Sequence, residues 1–250
     1  MEVKAGFKHT EVGVIPEDWQ VTTLAKVSKM KSGDSITGTD IDQFSEYPCY
    51  GGNGLRGFTS RFTHDGKYAL IGRQGALCGN VLGVSGKFFA SEHAVVVTPF
   101  EQTDIQWLTY VLEDMKLNQY SESSAQPGLS VAKILNLALA VPPTKAEQEA
   151  IAEALSDADA LIEALDGLIA KKRQVRQGAM QELLKPKETW VEKKLGNTAI
   201  LKARIGWQGL TTKEYLDAGD YYLITGTEFK NGFIDWENCH FVNEARYKQD

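Results

Sequence analysis

Apolar residues recur at alternating steps of four and three along one stretch of the chain, from Thr144 to Leu184. This spacing keeps one face of an α-helix turned toward a partner helix. Thr144 and Glu147 stand in the S/T-x-x-E relation of a capping box, and Pro186 stops the helix at its other end. We therefore predict one helix of about 40 residues, roughly 60 Å long. Its partner seam is Ile151, Leu155, Ala158, Ile162, Leu165, Ile169, Lys172, Arg176, Ala179 and Leu183.

The charge along this predicted helix is polarised. Acidic residues predominate from Glu147 to Asp166, and basic residues lie between Lys171 and Arg176. An antiparallel partner with the same polarity would set acid beside base, whereas a parallel copy would set like charges together. The alternative is a long helix that lies on the core of its own domain. The length and narrowness of the seam favour a separate partner.

Short strand-like segments and glycine-rich turns come before the helix. Tyr47 to Phe58 is typical of a hairpin around its glycines. A strand from Tyr68 leads into a turn centred on Gly72-Arg73-Gln74-Gly75, and a second strand is predicted from Ala76. These segments predict a mixed α/β (α+β) domain over residues 1–142.

A short internal repeat indicates a second domain after the helix. Trp19 and Leu24 recur as Trp190 and Leu195, both displaced by 171 residues. Beyond them, the chain is typical of two strands, from Tyr221 and from Asn231, around an Asn-Gly hairpin turn.

The predicted organisation has three parts. A first α/β domain over residues 1–142 is followed by a coiled-coil spacer helix over residues 143–186. The start of a second α/β domain, which we expect to be incomplete, occupies residues 187–250.

Composition narrows the class of protein. The chain has 250 residues, 42% of them hydrophobic, enough for one large or two smaller cores. Its three cysteines are far apart and no signal-like segment opens the chain, so we expect reduced thiols and a cytoplasmic location. The net charge of −6 argues against a uniformly basic surface. Between Leu55 and Lys87, however, five basic residues oppose one acidic residue, a local balance of +4.

The glycines of the first predicted hairpin allow two interpretations. Gly52, Gly54 and Gly57 formally match G-x-G-x-x-G, but a strand-like aromatic segment follows them where a dinucleotide-binding fold requires a helix. We therefore reject that fold. The glycines either serve a hairpin turn that needs positive φ, or they let bare backbone approach a phosphate or a base edge.

Polar residues on the two glycine-flanked tips are the candidate base contacts. Asn53 and Arg56 lie on the first tip, and Arg73 and Gln74 on the second. Arg suits a guanine edge or a phosphate, and Gln suits an adenine edge. The alternative is a pair of solvated turns, with His93 as a structural residue. The full predicted set of DNA contacts is Asn53, Arg56, Arg61, Lys67, Arg73, Gln74 and Lys87, of which Arg61, Lys67 and Lys87 neutralise phosphates.

Catalytic motifs are not found in the sequence. Val141-Pro142-Pro143-Thr144 shares only its prolines with the N-P-P-Y motif of adenine methyltransferases, and no P-loop motif occurs. The four histidines and three cysteines lack metal-ligand spacing. We expect no intrinsic catalysis and no bound metal.

A series of short motifs runs along nearly the whole chain. They are Ile15-Pro16-Glu17-Asp18-Trp19, Tyr47-Pro48, Gly51-Gly52-Asn53-Gly54, Ile71-Gly72-Arg73-Gln74-Gly75-Ala76, Gly79-Asn80-Val81, His93-Ala94-Val95, Gly128-Leu129-Ser130, Pro142-Pro143, Glu147-Gln148, Ile151-Ala152, Gln181-Glu182-Leu183-Leu184, Tyr222-Leu223-Ile224 and Asn231-Gly232. Taken in this order, the motifs resemble the specificity subunit of type I restriction-modification systems. The order of the motifs makes the resemblance specific.

The resemblance implies a non-catalytic DNA-reading subunit with two recognition domains, each reading half of a split site, held apart by two antiparallel helices. It also implies assembly with methyltransferase subunits, which use S-adenosylmethionine, and with a restriction subunit, which uses ATP and Mg²⁺. In this sequence we expect the second recognition domain to be cut off and the second helix to be missing. We therefore predict an antiparallel homodimer through the spacer helix. The competing hypothesis is a coiled-coil structural module that binds protein partners only.

Overall fold

The computed structural model describes residues 4–75, 77–121, 128–199, 210–230 and 232–248. These fall into two compact units, residues 1–180 and 181–250. The predicted fold class is confirmed: an α/β domain leads into a long helix, and a second α/β unit begins after it.

In the described residues of the first unit, the chain forms ten strands and four α-helices. The strands are β1 (Phe7–Thr10), β2 (Gly13–Pro16), β3 (Gln20–Thr23), β4 (Ser28–Ser32), β5 (Tyr47–Gly51), β6 (Gly54–Thr59), β7 (His64–Gly72), β8 (Val81–Ala90), β9 (Ala94–Pro99) and β10 (Ala138–Val141). The helices are α1 (Leu24–Val27), α2 (Ile105–Asp114), α3 (Val131–Leu135) and α4 (Lys145–Leu183). Short 3-10 turns lie at Gly38–Asp40 and Leu117–Tyr120.

A six-stranded sheet in the order β4-β9-β7-β8-β5-β6 forms the body of this unit. Neighbouring strands are antiparallel except β5 and β8, which run parallel. Strand β9 and the second half of β7 are apolar runs, and α2 covers one face of the sheet with Trp107, Leu108 and Leu112, all of them buried. Burial of these large side chains is the main source of stability for the domain.

The loop after β7 is longer than predicted. The second strand of this hairpin begins at Val81, whereas the sequence predicted it from Ala76, a residue outside the described ranges. The reason is that Gly72 closes a wide loop: its N–H donates to Asn80 O at 2.8 Å, and its carbonyl accepts from Gly79 N at 2.8 Å. Regular β7–β8 pairing resumes only at Ile71 and Val81.

The predicted long helix is present as α4. Its N-terminus forms half of the predicted capping box, because Glu147 N donates to Thr144 Oγ1 at 3.2 Å. The Glu147 carboxylate has a different partner, Trp19 Nε1, which donates to Oε1 at 3.0 Å. Trp19 is brought there by the antiparallel pairing of β3 with β10, in which Gln20 lies opposite Val141, three residues before Thr144.

A buried amide holds the first turns of α4 against the domain. Gln148 is 2% exposed, and its Oε1 accepts the backbone N–H of Asp104 at 2.8 Å while its Nε2 donates to Gln102 O at 3.4 Å. Ile151 and Ala152 pack against the main core one turn later. The backbone groups before α2 and the start of α4 are therefore joined by one side chain.

The last hydrogen bond that holds α4 to the domain lies two turns further on, where Tyr110 donates to Asp159 Oδ2 at 2.7 Å. Beyond this point the side chains of α4 are exposed. The alternative in which the helix lies along its own core thus applies only to its first turns.

Where the structure describes the second unit, four short strands and one α-helix are present. They are β11 (Tyr221–Leu223), β12 (Phe229–Lys230), β13 (Phe233–Ile234), β14 (His240–Val242) and α5 (Glu244–Tyr247). Strand β12 pairs with β13 across the predicted Asn-Gly turn, of which Gly232 is described, with φ +83°, and Asn231 is not. Strand β11 pairs with β14 instead.

The predicted strand from Tyr221 is interrupted by a 3-10 turn at Gly226–Glu228. The Glu228 carboxylate accepts hydrogen bonds from the hydroxyls of Thr227 and Thr225 and from the Thr225 backbone N–H. These bonds lower the pKa of Glu228 to about 2. A capping box therefore ends the strand after Leu223, because its side-chain bonds stabilise the turn.

Replacing Gln148 with Leu should destabilise the first unit by about 1–3 kcal/mol, because Asp104 N–H and Gln102 C=O would lose their shared partner. The measurement is urea unfolding followed by tryptophan fluorescence. The matched control is Glu149→Leu, which makes the same replacement at the exposed neighbouring position. Equal unfolding midpoints for the two variants would contradict the anchoring role of Gln148.

Candidate nucleic-acid interface

Several loops meet at one end of the sheet, and we call them the loop cluster: residues 51–56, 72–75, 91–93 and 128–129. Arg73 N donates to His93 O at 2.9 Å, and Leu129 N donates to Arg73 O at 2.9 Å. Gln74 and Gly128 pair as an antiparallel bridge. The loops are therefore held together by backbone hydrogen bonds.

Glycines let the backbones of the loop cluster touch. A Cβ atom on Gly72 would lie 2.3 Å from Gly52 O, and one on Gly52 would lie 3.0 Å from His93 O. Both positions require glycine because the neighbouring backbone comes too close to leave room for a Cβ atom. Positive φ, which the sequence offered as the alternative, applies to Gly54 at +85° and Gly57 at +146° in the same hairpin.

The loop cluster brings together four of the predicted DNA contacts. Asn53, Arg56 and Gln74 are exposed, and Arg73 is half-buried. The Arg56 stem lies over Gly51, where an added Cβ would come 2.5 Å from Arg56 Cδ.

Arg73 has a structural partner as well as a position in the cluster. Its Nη1 donates to Ser32 Oγ at 3.2 Å, which ties the side chain to β4. The Arg73 side chain is consequently more constrained than in a solvated turn, which was the alternative interpretation of the sequence. Its other guanidinium nitrogens retain donors for a ligand.

The other three predicted contacts lie outside the loop cluster. In the β7–β8 hairpin Lys67 is opposite Ser85 and Lys87 is opposite Asp65, near the start of β7. Lys67 is six residues from Arg73, about 20 Å along a strand, whereas Lys87 is four residues before Ser91 of the loop cluster. The predicted set thus divides into four residues within the loop cluster and three outside it.

Aromatic rings hold two of these three cations. Lys87 Nζ lies 4.9 Å from the centroid of the Phe62 ring, and Arg61 Cζ lies 5.2 Å from that of Phe89. Such contacts restrict the side chains while leaving the charge accessible. Arg61, Lys67 and Lys87 are all exposed.

Sequence reasoning missed a chain of three side chains inside the loop cluster. His93 Nε2 lies 3.3 Å from Glu92 Oε1, and His93 Nδ1 lies 3.1 Å from Gln74 Oε1. Glu92 Oε2 and Ser91 Oγ are buried and have no hydrogen-bond partner among the described residues. No local pattern links Gln74 to residues 92 and 93, because their proximity depends on the pairing of β7 with β9.

The partner seam is covered only at its start. Ile151 is half-buried in the core, and Leu155 is 42% exposed. Ile162, Leu165 and Ile169 are 48–58% exposed. The remaining seam residues are also exposed: Ala158, Lys172, Arg176, Ala179 and Leu183.

Further apolar residues widen this exposed stripe. Leu161, Leu168 and Val175 recur every seven residues beside the seam and are 50–62% exposed. At about 100° per residue they extend the seam on the side away from Gln148. A stripe of this width is typical of a helix that packs in a bundle, and it exceeds the two positions per heptad that a two-stranded coil needs.

Groups of three or more His, Cys, Asp or Glu side chains that could hold a metal ion are absent from the described residues. The three cysteines are unpaired and buried, and burial raises the pKa of the Cys49 and Cys78 thiols. Within the described ranges, every helix is too short or too polar to cross a membrane.

A family model described as type I restriction modification DNA specificity domain matches residues 16–171, more than half of the chain. The chain belongs to this type I DNA specificity family. The match includes the loop cluster, the β7–β8 hairpin and most of α4. The family resemblance that the sequence motifs suggested is therefore confirmed.

Individual relatives agree with this assignment. The chain is 49% identical over 124 residues to the Escherichia coli type I restriction enzyme EcoprrI specificity subunit, over 48% of this chain and 31% of that protein. It is 23% identical over 244 residues to a putative type I specificity subunit of Mycoplasma pneumoniae, over 93% of this chain and 64% of that protein.

A solved structure shares the fold. The S subunit of a type I restriction-modification system from M. genitalium superposes with a TM-score of 0.61 at 19% identity, over 94% of this chain and 64% of that one. The chain thus spans less than two thirds of the length of these relatives.

Replacing Gly72 with Ala should destabilise the loop cluster, because the new methyl group would collide with the backbone of Gly52. We expect a loss of about 1–3 kcal/mol in the free energy of unfolding, the usual cost of overpacking. Gly83→Ala in β8 is the control, since its methyl would meet Thr109 Cγ2 at an ordinary 3.6 Å. Urea unfolding of both variants measures the difference, and an equally stable Gly72→Ala variant would refute the close approach.

Proposed function

We propose that this chain is a non-catalytic DNA-binding specificity subunit that reads one half of a split target site within a type I restriction-modification complex. The observation that carries the proposal is the loop cluster, in which glycine backbones hold Asn53, Arg56, Arg73 and Gln74 side by side. Family membership supports DNA as the ligand.

Base readout is assigned to these four residues. Asn and Gln can each pair with an adenine edge, and Arg with a guanine edge, when they reach the major groove. Gly52 and Gly72 let the two loops that carry these side chains come into contact. Because the four side chains come from two separate loops, they can contact neighbouring base pairs together.

Phosphate contacts are assigned to Arg61, Lys67 and Lys87. Their exposure and the local balance of +4 support this role in a chain whose net charge is −6. Because they lie outside the loop cluster, they can hold the DNA backbone beside the bases being read. Such contacts give affinity that does not depend on sequence.

The chemistry of the complex is assigned to partner subunits. In this proposal methyltransferase subunits bring S-adenosylmethionine, and a restriction subunit brings ATP and Mg²⁺. The assembly acts in the cytoplasm. The chain itself recognises the target sequence on the DNA and provides the surface on which the partner subunits dock.

The partner seam of α4 is assigned to a second copy of the chain in an antiparallel homodimer. Acidic residues from Glu147 to Asp166 would then face basic residues from Lys171 to Arg176 of the second copy. Two loop clusters would be separated by the helix, which can set the distance between half-sites, about 34 Å for one turn of B-DNA. The adjoining stripe of Leu161, Leu168 and Val175 would remain for the methyltransferase subunit.

A second candidate is a structural coiled-coil module that binds protein partners only. The exposed apolar stripe on α4 favours it, since that surface fits a helix and not a duplex. The two candidates differ in the role of the loop cluster: only the DNA-reading function requires its side chains.

DNA binding separates the two candidates. Arg73→Ala should lower affinity for the cognate half-site by roughly 10-fold, because one base contact is worth about 1–3 kcal/mol. Lys67→Ala should weaken binding to all duplexes alike and reduce the slope of affinity against salt by about 1. Fluorescence anisotropy with specific and unrelated duplexes measures both effects.

The control for these variants is Lys26→Ala, which replaces an exposed lysine on α1. It should change neither the affinity for DNA nor the slope of affinity against salt. Because Arg73 also bonds Ser32, Arg73→Lys tests whether a cation alone restores affinity. The proposal is rejected if Arg73→Ala and Lys67→Ala both bind DNA as tightly as the unmodified chain.

Self-association tests the seam. Ile162→Asp should abolish dimers at micromolar concentration, because it places a carboxylate in an apolar contact. Ala160→Asp adds the same charge about half a turn away, on the side of α4 opposite the seam, and should leave the dimers intact. Sedimentation equilibrium with and without methyltransferase subunit gives the mass, and a monomer for the unmodified chain alone would count against the homodimer.

A further inference from the structure

The chain of contacts from Glu92 through His93 to Gln74 lies within the loop cluster. The distances are 3.3 Å from Glu92 Oε1 to His93 Nε2 and 3.1 Å from His93 Nδ1 to Gln74 Oε1. Gln74 is exposed at one end of the chain, and Glu92 Oε2 is buried at the other. Glu92 Oε2 is shielded from a duplex although the Glu92 side chain as a whole is 35% exposed, and the Gln74 side chain is accessible.

The donors and acceptors in these contacts follow from the groups involved. A carboxylate and an amide oxygen only accept hydrogen bonds, so both contacts form together when each nitrogen of the His93 ring carries a proton, as in the imidazolium. The imidazolium then faces Glu92 with Nε2 and donates from Nδ1 to Gln74 Oε1. The Gln74 amide nitrogen is then left for another partner, and it has none among the described residues.

The charges around the Glu92–His93–Gln74 contacts are consistent with this arrangement of donors and acceptors. Arg73 and Arg56 belong to the same cluster, and Arg73 N donates to the carbonyl of His93. Glu92 is the acidic residue of these loops, so its carboxylate would repel phosphates if it faced the DNA. Its contact with the His93 ring offsets that charge and uses the carboxylate to hold the ring.

We propose that Glu92 is a specificity-determining positioning residue: it fixes His93, which in turn fixes the amide of Gln74 with its NH₂ group directed at the DNA. Gln74 would then read an acceptor on a major-groove edge, such as guanine O6 or N7, adenine N7 or thymine O4. This inference rests on the proposed function, because it assumes that Gln74 meets a base.

The test is selection of bound duplexes from a randomised pool by the chain assembled with its methyltransferase subunits. Glu92→Gln should flatten the preference at one base pair by about 5-fold or more, because an amide can donate as well as accept and no longer fixes the arrangement of donors and acceptors. Gln74→Ala should flatten the preference at the same base pair. The double variant should equal Gln74→Ala alone, since both changes act through one contact.

Two further variants separate positioning from damage to the fold. Glu92→Asp keeps a group that only accepts, and it should retain the preference. Asp65→Asn removes an exposed carboxylate from the β7–β8 hairpin, and it should change overall affinity without changing base preference. A wholly structural role for Glu92 would lower affinity for every duplex equally.

The outcomes are distinguishable. If the unmodified complex selects no sequence, the proposed function is wrong and this inference falls with it. If the unmodified complex selects a sequence, two results would show that only the positioning role is wrong. In the first, Glu92→Gln keeps the same base preference. In the second, adding Glu92→Gln to Gln74→Ala lowers the base preference below that of Gln74→Ala alone.

Discussion

A long helix that is anchored at one end and exposed along the rest of its length is the constraint on which this structure depends. The anchor is the buried amide of Gln148, which bonds the backbone at Asp104 and Gln102, with Trp19 bonded to Glu147 beside it. Because these contacts lie on one face of α4, the adjoining apolar stripe stays free. The helix direction relative to the sheet is therefore set by the first unit alone, before any partner binds.

The loop cluster depends on the same body. Strands β5, β7, β8 and β9 end or begin beside one another, and glycines at 52 and 72 let their connections come into contact. A rigid sheet thus positions polar side chains that come from distant parts of the sequence. Since the sheet also carries α2, and α2 bonds α4 through Tyr110 and Asp159, the loop cluster and α4 belong to one compact unit.

Local patterns predicted much of this arrangement. The heptad spacing and Pro186 gave the length of α4, and the glycines around Asn53 gave the β5–β6 hairpin. The start of β8 was wrong because the bonds that Gly72 makes to residues 79 and 80 are not visible in a propensity pattern. The burial of Gln148 and the link from Glu92 to Gln74 could not be predicted, because both depend on pairings between segments 19 to 46 residues apart.

Hydrogen exchange of the α4 amides tests the central claim most directly, namely that the helix is anchored at its start and needs a partner beyond it. Helices gain most of their stability from packing, and glycines at 167 and 178 weaken the exposed part further. In a dilute sample without partners, amides of residues 145–155 should exchange slowly and those of residues 160–183 rapidly. Residues 160–183 should become protected when the concentration is raised or the methyltransferase subunit is added. Equally slow exchange along the whole helix in the dilute sample, unchanged by either addition, would contradict the account.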